Sequence, residues 1–156
     1  MSKTILATGA TDGIGWATAR QLVELGHRVL LHGRSEPKLA ATKANLLESF
    51  PEADLQTYAA DLSILSEVVA FADALVREQQ SLDVLINNAG VFKVPETVTV
   101  DGLDVRFAVN TIAPYLLALR LKPLLGAGGR VINLSSAAQA PVAPRDLARP
   151  SHQPDN

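Results

Sequence analysis

The chain has 156 residues, of which 47% are hydrophobic and 19% charged, and 14 Lys and Arg against 16 Asp and Glu give a net charge of −2. This composition is typical of one soluble globular domain and excludes a disordered chain, which would carry more charge and fewer apolar residues. The near-neutral charge argues against a dedicated nucleic-acid binder, and the lack of cysteine excludes disulfides and thiolate sites. Because we find no signal peptide and no apolar run of about 18 residues, we predict a cytoplasmic protein without a membrane span.

Short β-type runs alternate with longer helical runs along the chain. This alternation, with continuous apolar strands, predicts a doubly wound parallel sheet that is covered by helices on both faces. The predicted strands are residues 4–8, 28–32, 55–59, 82–86 and 130–134. The predicted helices are residues 13–25, a run that begins at about Glu36, residues 63–79 and most of residues 102–125. The helix that begins at about Glu36 has Ser35 as its predicted N-cap and Pro37 in its first turn.

The first strand leads into the glycine-rich loop Thr8-Gly9-Ala10-Thr11-Asp12-Gly13-Ile14-Gly15, and a helix follows. Glycines permit a tight turn and close approach of a phosphate, while the helix start offers unpaired N–H groups and the positive end of its dipole. The strand–turn–helix context favours dinucleotide binding, although the spacing is not the common Gly-x-Gly-x-x-Gly. The alternative is a glycine turn that only joins a strand to a helix. The candidate nucleotide-binding residues in this loop are Gly9, Thr11, Asp12, Gly13, Ile14 and Gly15.

The second strand ends in His32-Gly33-Arg34-Ser35, where an adenosine ribose is expected. A carboxylate at this point favours NAD, whereas Arg accommodates the 2′-phosphate of NADP, and no Asp or Glu lies between residues 25 and 35. Arg34 therefore favours NADP(H) over NAD(H), with Asp12 as a mildly unfavourable charge near the phosphates. The alternative is an exposed Arg that begins a helix.

Two further polar segments follow strands, namely Asp61-Leu62 after the third and Asn87-Asn88-Ala89-Gly90 after the fourth. Ligands bind at the carboxyl ends of strands in open α/β sheets, so both segments are candidate binding segments. Taken singly, Asp61 also fits a helix cap, and Asn88, Ala89 and Gly90 also fit a turn. Their combination with the glycine loop makes the binding interpretation more specific.

Together these motifs resemble the short-chain dehydrogenase/reductase family. The matching pieces cover residues 3–136 in the family's order, and residues 133–139 resemble its retinol-dehydrogenase-like branch. They are Thr8-Gly9-x-x-x-Gly13-Ile14-Gly15, Asp61-Leu62, Asn87-Asn88-Ala89-Gly90, Asn110 and Asn133-Leu134-Ser135-Ser136.

The resemblance implies an α/β fold of the Rossmann type, with five strands in the order 3-2-1-4-5 and without the family's later strands and helices. It implies that residues 9–15 bind NAD(P)(H) and that Asp61 and Leu62 flank the adenine. It also implies that the segment Asn88-Ala89-Gly90 passes beside the cofactor.

The resemblance further implies that Ser136 binds the substrate carbonyl or hydroxyl and that Asn110 supports a proton relay. A hydroxyl at a strand end can donate to a carbonyl oxygen that gains negative charge during hydride delivery. Because Pro114 has no N–H to donate to the Asn110 carbonyl, we predict that this carbonyl holds a water. The alternatives are that Ser135 and Ser136 only satisfy backbone groups, and that Pro114 only kinks a surface helix.

The family's general acid is a Tyr with a Lys four residues later, and this pair is missing. The two tyrosines, Tyr58 and Tyr115, are followed four residues later by Leu62 and Leu119, and both precede Ser136. The sequence therefore favours an incomplete segment of a longer parent. Residues 1–136 are predicted to form an NAD(P)-binding Rossmann domain, and residues 137–156, with four of the nine prolines, a Pro-rich loop or disordered tail. Residues 131–134 would then be an exposed apolar edge strand.

Three functions remain open at this point. The first is an NADP(H)-dependent oxidoreductase that interconverts a small-molecule alcohol and a carbonyl, with a parent that the resemblance makes a homodimer or homotetramer. The 156-residue chain itself is expected not to turn over a substrate. The second is a non-catalytic dinucleotide-binding module, and the third is a complete flavodoxin-like binding domain, which the segment Asn88-Ala89-Gly90 and the glycine spacing disfavour.

The histidines do not predict a metal site. His27, His32 and His152 are not spaced as metal ligands, and each is expected to be a solvated surface residue.

Overall fold

A five-stranded parallel sheet with the order β3-β2-β1-β4-β5 organises the computed structural model, which describes residues 1–136. Its strands are β1 (Thr4–Ala7), β2 (Arg28–Gly33), β3 (Leu55–Ala59), β4 (Val84–Asn87) and β5 (Arg130–Asn133). The predicted strand order and parallel direction are confirmed. The tail predicted for residues 137–156 lies outside the described residues.

The helices alternate with the strands along the chain. They are α1 (Gly13–Glu24), α2 (Glu36–Ser49), α3 (Leu65–Glu78), α4 (Val105–Phe107), a π-helical turn (Ala108–Ile112), α5 (Ala113–Arg120) and α6 (Lys122–Leu125). As predicted, Ser35 caps α2, since its hydroxyl accepts a hydrogen bond from the Lys38 N–H at 3.4 Å. Among residues 1–136, we find no helix with the length and hydropathy needed to cross a membrane.

The core lies on both faces of the central strands, because successive side chains of a strand point to opposite faces. Leu6 of β1 and Leu30 of β2 pack with α3 and α5, whereas Val29 and Leu31 of β2 pack with α1 and α2. Burial of one such side chain stabilises the fold by about 1.5–3 kcal/mol. The central strands are therefore held from both faces, which fixes where their carboxyl ends lie.

The helix predicted over most of residues 102–125 is broken into shorter pieces. Within the π-helical turn, the Ala113 N–H donates to the Ala108 carbonyl, five residues earlier instead of four. Pro114 lacks an N–H, so an α-helical bond to the Asn110 carbonyl is unavailable. The wider turn lies where the sequence removes this donor.

β5 differs from the strands covered on both faces that the alternation predicts. All four of its residues are exposed, and Val131 and Ile132 show 39% and 46% of their surface. β4 is the strand that pairs with β5, and no strand within residues 1–136 pairs with its outer side. The predicted exposed apolar edge is therefore confirmed for the described part of the chain.

Candidate functional site

The loops that carry the predicted site residues lie at one edge of the sheet. Because the strands are parallel, their carboxyl ends meet there: Ala7 pairs in register with Leu31 and Ile86, and Asn87 with Asn133. The structure thus brings to this edge the glycine loop, Arg34, Asp61, the segment 88–90 and Ser136. This is the edge at which ligands bind in open α/β sheets.

The glycine loop packs tightly against the loop after β4. Gly9 has a φ of 65°, and a Cβ there would lie 2.9 Å from the Ala89 Cα. A Cβ on Gly15 would overlap the carbonyl oxygen of Gly9. Within residues 1–136, nothing accepts a hydrogen bond from the backbone N–H groups of Ile14 and Gly15. The first turn of α1 therefore offers two unpaired donors, within residues 1–136, beside a loop that needs glycine at positions 9 and 15.

Asp12 ends this loop as the N-cap of α1. Its carboxylate accepts a hydrogen bond from the Gly13 N–H at 2.7 Å. The side chain is exposed, so its negative charge lies at the helix start, where a phosphate would also bind.

Thr8 joins the ends of β1 and β4, a role that the sequence analysis did not assign to it. Its hydroxyl oxygen accepts from the N–H groups of Asn88 and Ala89, each at 3.0 Å. The Asn88 amide in turn donates to the carbonyls of Thr8 and Gly9 at 2.9 and 3.1 Å. A buried hydroxyl at the end of an apolar strand needs partners, and this was the available signal.

Arg34 follows β2 directly and is exposed. Within residues 1–136 it forms no ion pair. The preceding residue, Gly33, lies against the glycine loop, because a Cβ there would be 2.8 Å from the Thr11 Cγ2. An uncommitted guanidinium thus lies next to the loop in the position predicted for a 2′-phosphate ligand.

Asp61 begins the turn after β3 and is not the helix cap that was its alternative, because the N-cap residue of α3 is Ile64. Its carboxylate accepts from the Ser63 N–H at 2.8 Å, and its own N–H donates to the Glu67 carboxylate at 2.7 Å. The Leu62 side chain is buried, with 3% exposed, in the core beside α3. Any contact of Leu62 with a ligand at this edge would therefore come from its backbone.

His32 is the clearest error of the sequence analysis, because it is buried instead of solvated. Its Nδ1 accepts from the Gly9 N–H at 3.3 Å, and its Nε2 lies 3.1 Å from the Ala60 carbonyl oxygen. The ring stacks on Phe71, with 4.8 Å between centroids. Burial lowers its pKa to about 4, against smaller raising effects of the Ala60 carbonyl and the Asp61 charge. Its place in an otherwise apolar strand was the signal for burial.

The expectation of a solvated histidine is partly met at His27 and lies outside the described residues at His152. His27 is half-buried, with its Nδ1 3.4 Å from the Lys3 N–H, and His152 lies outside the described residues.

Asn110 brings the π-helical turn to the loop after β4. Its side-chain Oδ1 accepts from the Val91 N–H and its Nδ2 donates to the Val91 carbonyl, both at 2.9 Å. This pair of hydrogen bonds positions the backbone that follows Gly90. The water at the Asn110 carbonyl stays a prediction.

Ser136 lies at the same edge and is exposed. Two residues earlier, the Leu134 N–H donates to the Asn87 carbonyl at 2.9 Å, which continues the pairing of β5 with β4. Ser136 therefore follows β5 at the edge of the sheet where β4 also ends.

Neither tyrosine has the surroundings of a general acid. The Tyr58 hydroxyl donates to the Glu78 carboxylate at 3.0 Å, and burial and this bond raise its pKa to about 12. Tyr115 lies on α5 with 63% of its surface exposed, four residues before Leu119.

A cavity of about 430 Å³ opens at the opposite edge of the sheet, lined largely by residues 26–28 and 50–54. It contains none of the predicted site residues. The candidate site is instead the open edge at the carboxyl ends of the strands.

A sequence model of the family described as short chain dehydrogenase matches residues 3–145. Mouse retinol dehydrogenase 14 is 38% identical over 146 residues, covering 86% of this chain and 44% of that protein. Human retinol dehydrogenase 13 is 36% identical over 138 residues, covering 87% of this chain and 42% of that protein. The chain thus spans less than half the length of these relatives.

Solved structures of similar proteins share the fold. A metagenomic short-chain oxidoreductase in complex with NADP is 37% identical, with a TM-score of 0.75, over 90% of this chain and 66% of that one. A short-chain dehydrogenase from Sphingobium yanoikuyae in complex with NADPH is 29% identical, with a TM-score of 0.73, over 86% of this chain and 54% of that one.

Proposed function

Because the chain belongs to the short chain dehydrogenase family, we propose that it binds NADP(H) at the carboxyl edge of its sheet. We also propose that the protein is an oxidoreductase that interconverts an alcohol and a carbonyl. The domain unit for nucleotide binding is residues 1–136. The oligomeric state and the cytoplasmic location stay predictions.

This proposal rests on two kinds of group at the same edge of the sheet: backbone N–H groups without an acceptor and an arginine side chain without an acidic partner, both within residues 1–136. The N–H groups of Ile14 and Gly15 form no hydrogen bond within residues 1–136, and Arg34 forms no ion pair there. Helix N-termini bind phosphates, and Arg forks hydrogen-bond them in a bidentate way. The solved relatives named above hold NADP or NADPH, which supports the same ligand class here.

The cofactor, when bound, supplies or accepts the hydride at its nicotinamide ring. Ser136 would hold the substrate oxygen by donating its hydroxyl hydrogen where negative charge develops. Asn110 would fix the loop after Gly90 through Val91 and would offer its carbonyl to a relay water. Asp61 and the backbone of Leu62 would flank the adenine.

A non-catalytic dinucleotide-binding module is the second candidate, favoured by the two tyrosines. The Tyr58 hydroxyl is bound to Glu78 and has a pKa of about 12, and Tyr115, which also precedes Ser136, has Leu119 and not Lys four residues later. We expect the 156-residue chain to bind NADPH without steady-state reduction of a carbonyl. Robust turnover by the purified chain, measured as NADPH oxidation, would contradict this expectation.

The nucleotide preference is tested by titrating the protein with NADPH and NADH and following the nicotinamide fluorescence. Arg34→Asp should weaken NADPH binding about tenfold or more relative to NADH, because it replaces a charge-assisted partner of the 2′-phosphate by a repelling charge. Arg77→Asp is the matched control, since Arg77 is exposed near the end of α3 that lies at the opposite edge. Unchanged relative affinities in Arg34→Asp would refute the NADP assignment.

The location of the site is tested by Gly15→Ala. The added methyl group overlaps the Gly9 carbonyl, so binding of both nucleotides should be lost together. Gly128→Ala is the control, because a Cβ at Gly128 meets nothing within 4 Å. Normal nucleotide binding by a folded Gly15→Ala variant would place the site elsewhere.

A further inference from the structure

His32 holds the first turn of the glycine loop at two successive amides. Its ring Nδ1 accepts from the Gly9 N–H at 3.3 Å, and its backbone carbonyl accepts from the Ala10 N–H at 2.9 Å. Gly9 is the residue with φ of 65° at which the loop turns back toward α1. The direction in which the loop leaves β1 thus depends on one residue of β2.

The other side of the same ring holds the turn that follows β3. The His32 Nε2 lies 3.1 Å from the Ala60 carbonyl oxygen, and Asp61 comes next in the chain. The Ala60 N–H donates to the Gly33 carbonyl at 3.2 Å, so this turn is tied to the end of β2 twice. His32 therefore links the loop proposed to bind phosphate with the turn proposed to flank adenine.

The hydrogen-bond roles of the ring follow from its partners. A carbonyl oxygen can only accept, so Nε2 must carry the hydrogen that Ala60 receives. Nδ1 is then the acceptor that the Gly9 N–H requires. The ring is 1% exposed and stacked on Phe71, which leaves it little freedom to turn away from either partner.

We propose that His32 is a positioning residue for dinucleotide binding, which sets the glycine loop through the Gly9 N–H and spaces it from the β3 turn through the Ala60 carbonyl. This inference rests on the proposed function, because it assigns the dinucleotide to this edge. In this proposal the buried His32 ring acts on the cofactor through Gly9 and does not itself contact the cofactor.

Three substitutions separate this role from a general contribution to folding. His32→Asn keeps an acceptor near the Nδ1 position for Gly9, whereas His32→Gln keeps a donor near the Nε2 position for Ala60. His32→Phe keeps the ring volume and the stacking on Phe71 but neither hydrogen bond. His27→Phe is the matched control, because His27 lies at the opposite edge of the sheet.

We expect His32→Phe and His32→Gln to raise the NADPH dissociation constant about tenfold, since the partly buried Gly9 N–H loses its acceptor. His32→Asn should stay within about threefold of the wild type, even though it loses the stacking and is less stable in thermal unfolding. Equal NADPH affinities in all variants would overturn the proposal. So would a loss of affinity that follows the melting temperatures of the variants and not the presence of an acceptor for the Gly9 N–H. If His32→Phe does not fold, the Asn and Gln pair decides.

A second measurement needs no ligand. In the wild type, the ¹⁵N shifts of the His32 ring should show hydrogen on Nε2, and the Gly9 amide should be protected from exchange. That protection should persist in His32→Asn and fall in His32→Gln; equal exchange in both variants would contradict the role of the ring. A wild-type chain that binds neither NADPH nor NADH would refute the proposed function, while this exchange experiment would still decide whether His32 holds the loop.

Discussion

At the scale of single residues, the buried imidazole of His32 makes the fold sensitive to acid. Burial lowers its pKa to about 4 in the folded chain, from an ordinary value of 6.5 for histidine. Asp61 acts in the opposite direction, because its carboxylate favours the protonated ring. Protonation of Nδ1 would also turn the acceptor of the Gly9 N–H into a second donor, so the folded chain resists it.

Stability should therefore fall as the pH falls from about 6.5 toward 4. In this pH window the unfolded chain binds a proton at His32 that the folded chain does not. Lowering the pH therefore stabilises the unfolded chain and decreases the free energy of unfolding. From about pH 7 to about pH 5, the loss attributable to His32 should be about 2 kcal/mol.

Urea unfolding of the wild type and of His32→Asn at these two pH values measures this contribution. The variant has no group that titrates at this position, so its loss should be smaller than that of the wild type. His27→Asn serves as the control for removal of a half-buried histidine. If the wild type and His32→Asn lost the same stability, the depressed pKa of His32 would be wrong.

At the scale of elements, the loop between β4 and α4 is held to the rest of the fold at Val91 and Asp101 as well as at residues 88 and 89, which Thr8 holds. Asn110 of the π-helical turn forms two hydrogen bonds with Val91 at the start of this loop. Near its end, the Asp101 carboxylate accepts from the Leu65 N–H at 2.9 Å. Ile64, the N-cap residue of α3, has an apolar side chain that cannot accept a hydrogen bond. A residue distant in the chain, Asp101, therefore caps this helix.

Asp101→Ala should lower the free energy of unfolding by about 1 kcal/mol, because an N–H in the first turn of α3 loses its acceptor. Asp101→Asn retains an oxygen at the same position and should lose less. The measurement is urea unfolding, with Glu96→Ala as an exposed control in the same loop. A loss in Asp101→Ala no larger than in Glu96→Ala would contradict the capping role.

At the scale of the whole molecule, the two ends of the sheet differ in how they are protected. β1 and β2 are covered on both faces, whereas β5 shows apolar side chains and an unpaired edge within residues 1–136. An exposed apolar edge strand is a template for pairing with another chain. We therefore expect the 156-residue chain to associate with itself as its concentration rises.

Ile132→Lys should reduce this association, since a charged side chain on an edge strand opposes pairing with a second strand. Sedimentation velocity over a range of concentrations measures the change. Val76→Lys is the matched control, because Val76 has a similar exposure, 40% against 46% for Ile132, but lies on α3. Equal association of the two variants would show that β5 is not the surface responsible.

The strands and helices were predictable because their signals are local. Leu55–Ala59 was predicted with the bounds that the structure gives, and Ser35 was correctly predicted to cap α2. The edge that carries the glycine loop and Arg34 also followed from the alternation, because parallel strands place all their carboxyl ends together. For the strand bounds and the helix cap, neighbouring residues contain the physical cause, whereas the shared edge follows from the parallel pairing that the alternation predicts.

By itself, then, the sequence determined the order of the strands, the family and the edge at which a ligand is expected. The tertiary structure alone decided that His32 is buried between two turns, that Asn110 holds Val91 and that Asp101 caps α3. It also decided that β5 is exposed within residues 1–136. Each of these depends on hydrogen bonds or burial between segments far apart in the chain, which only the packed sheet brings together.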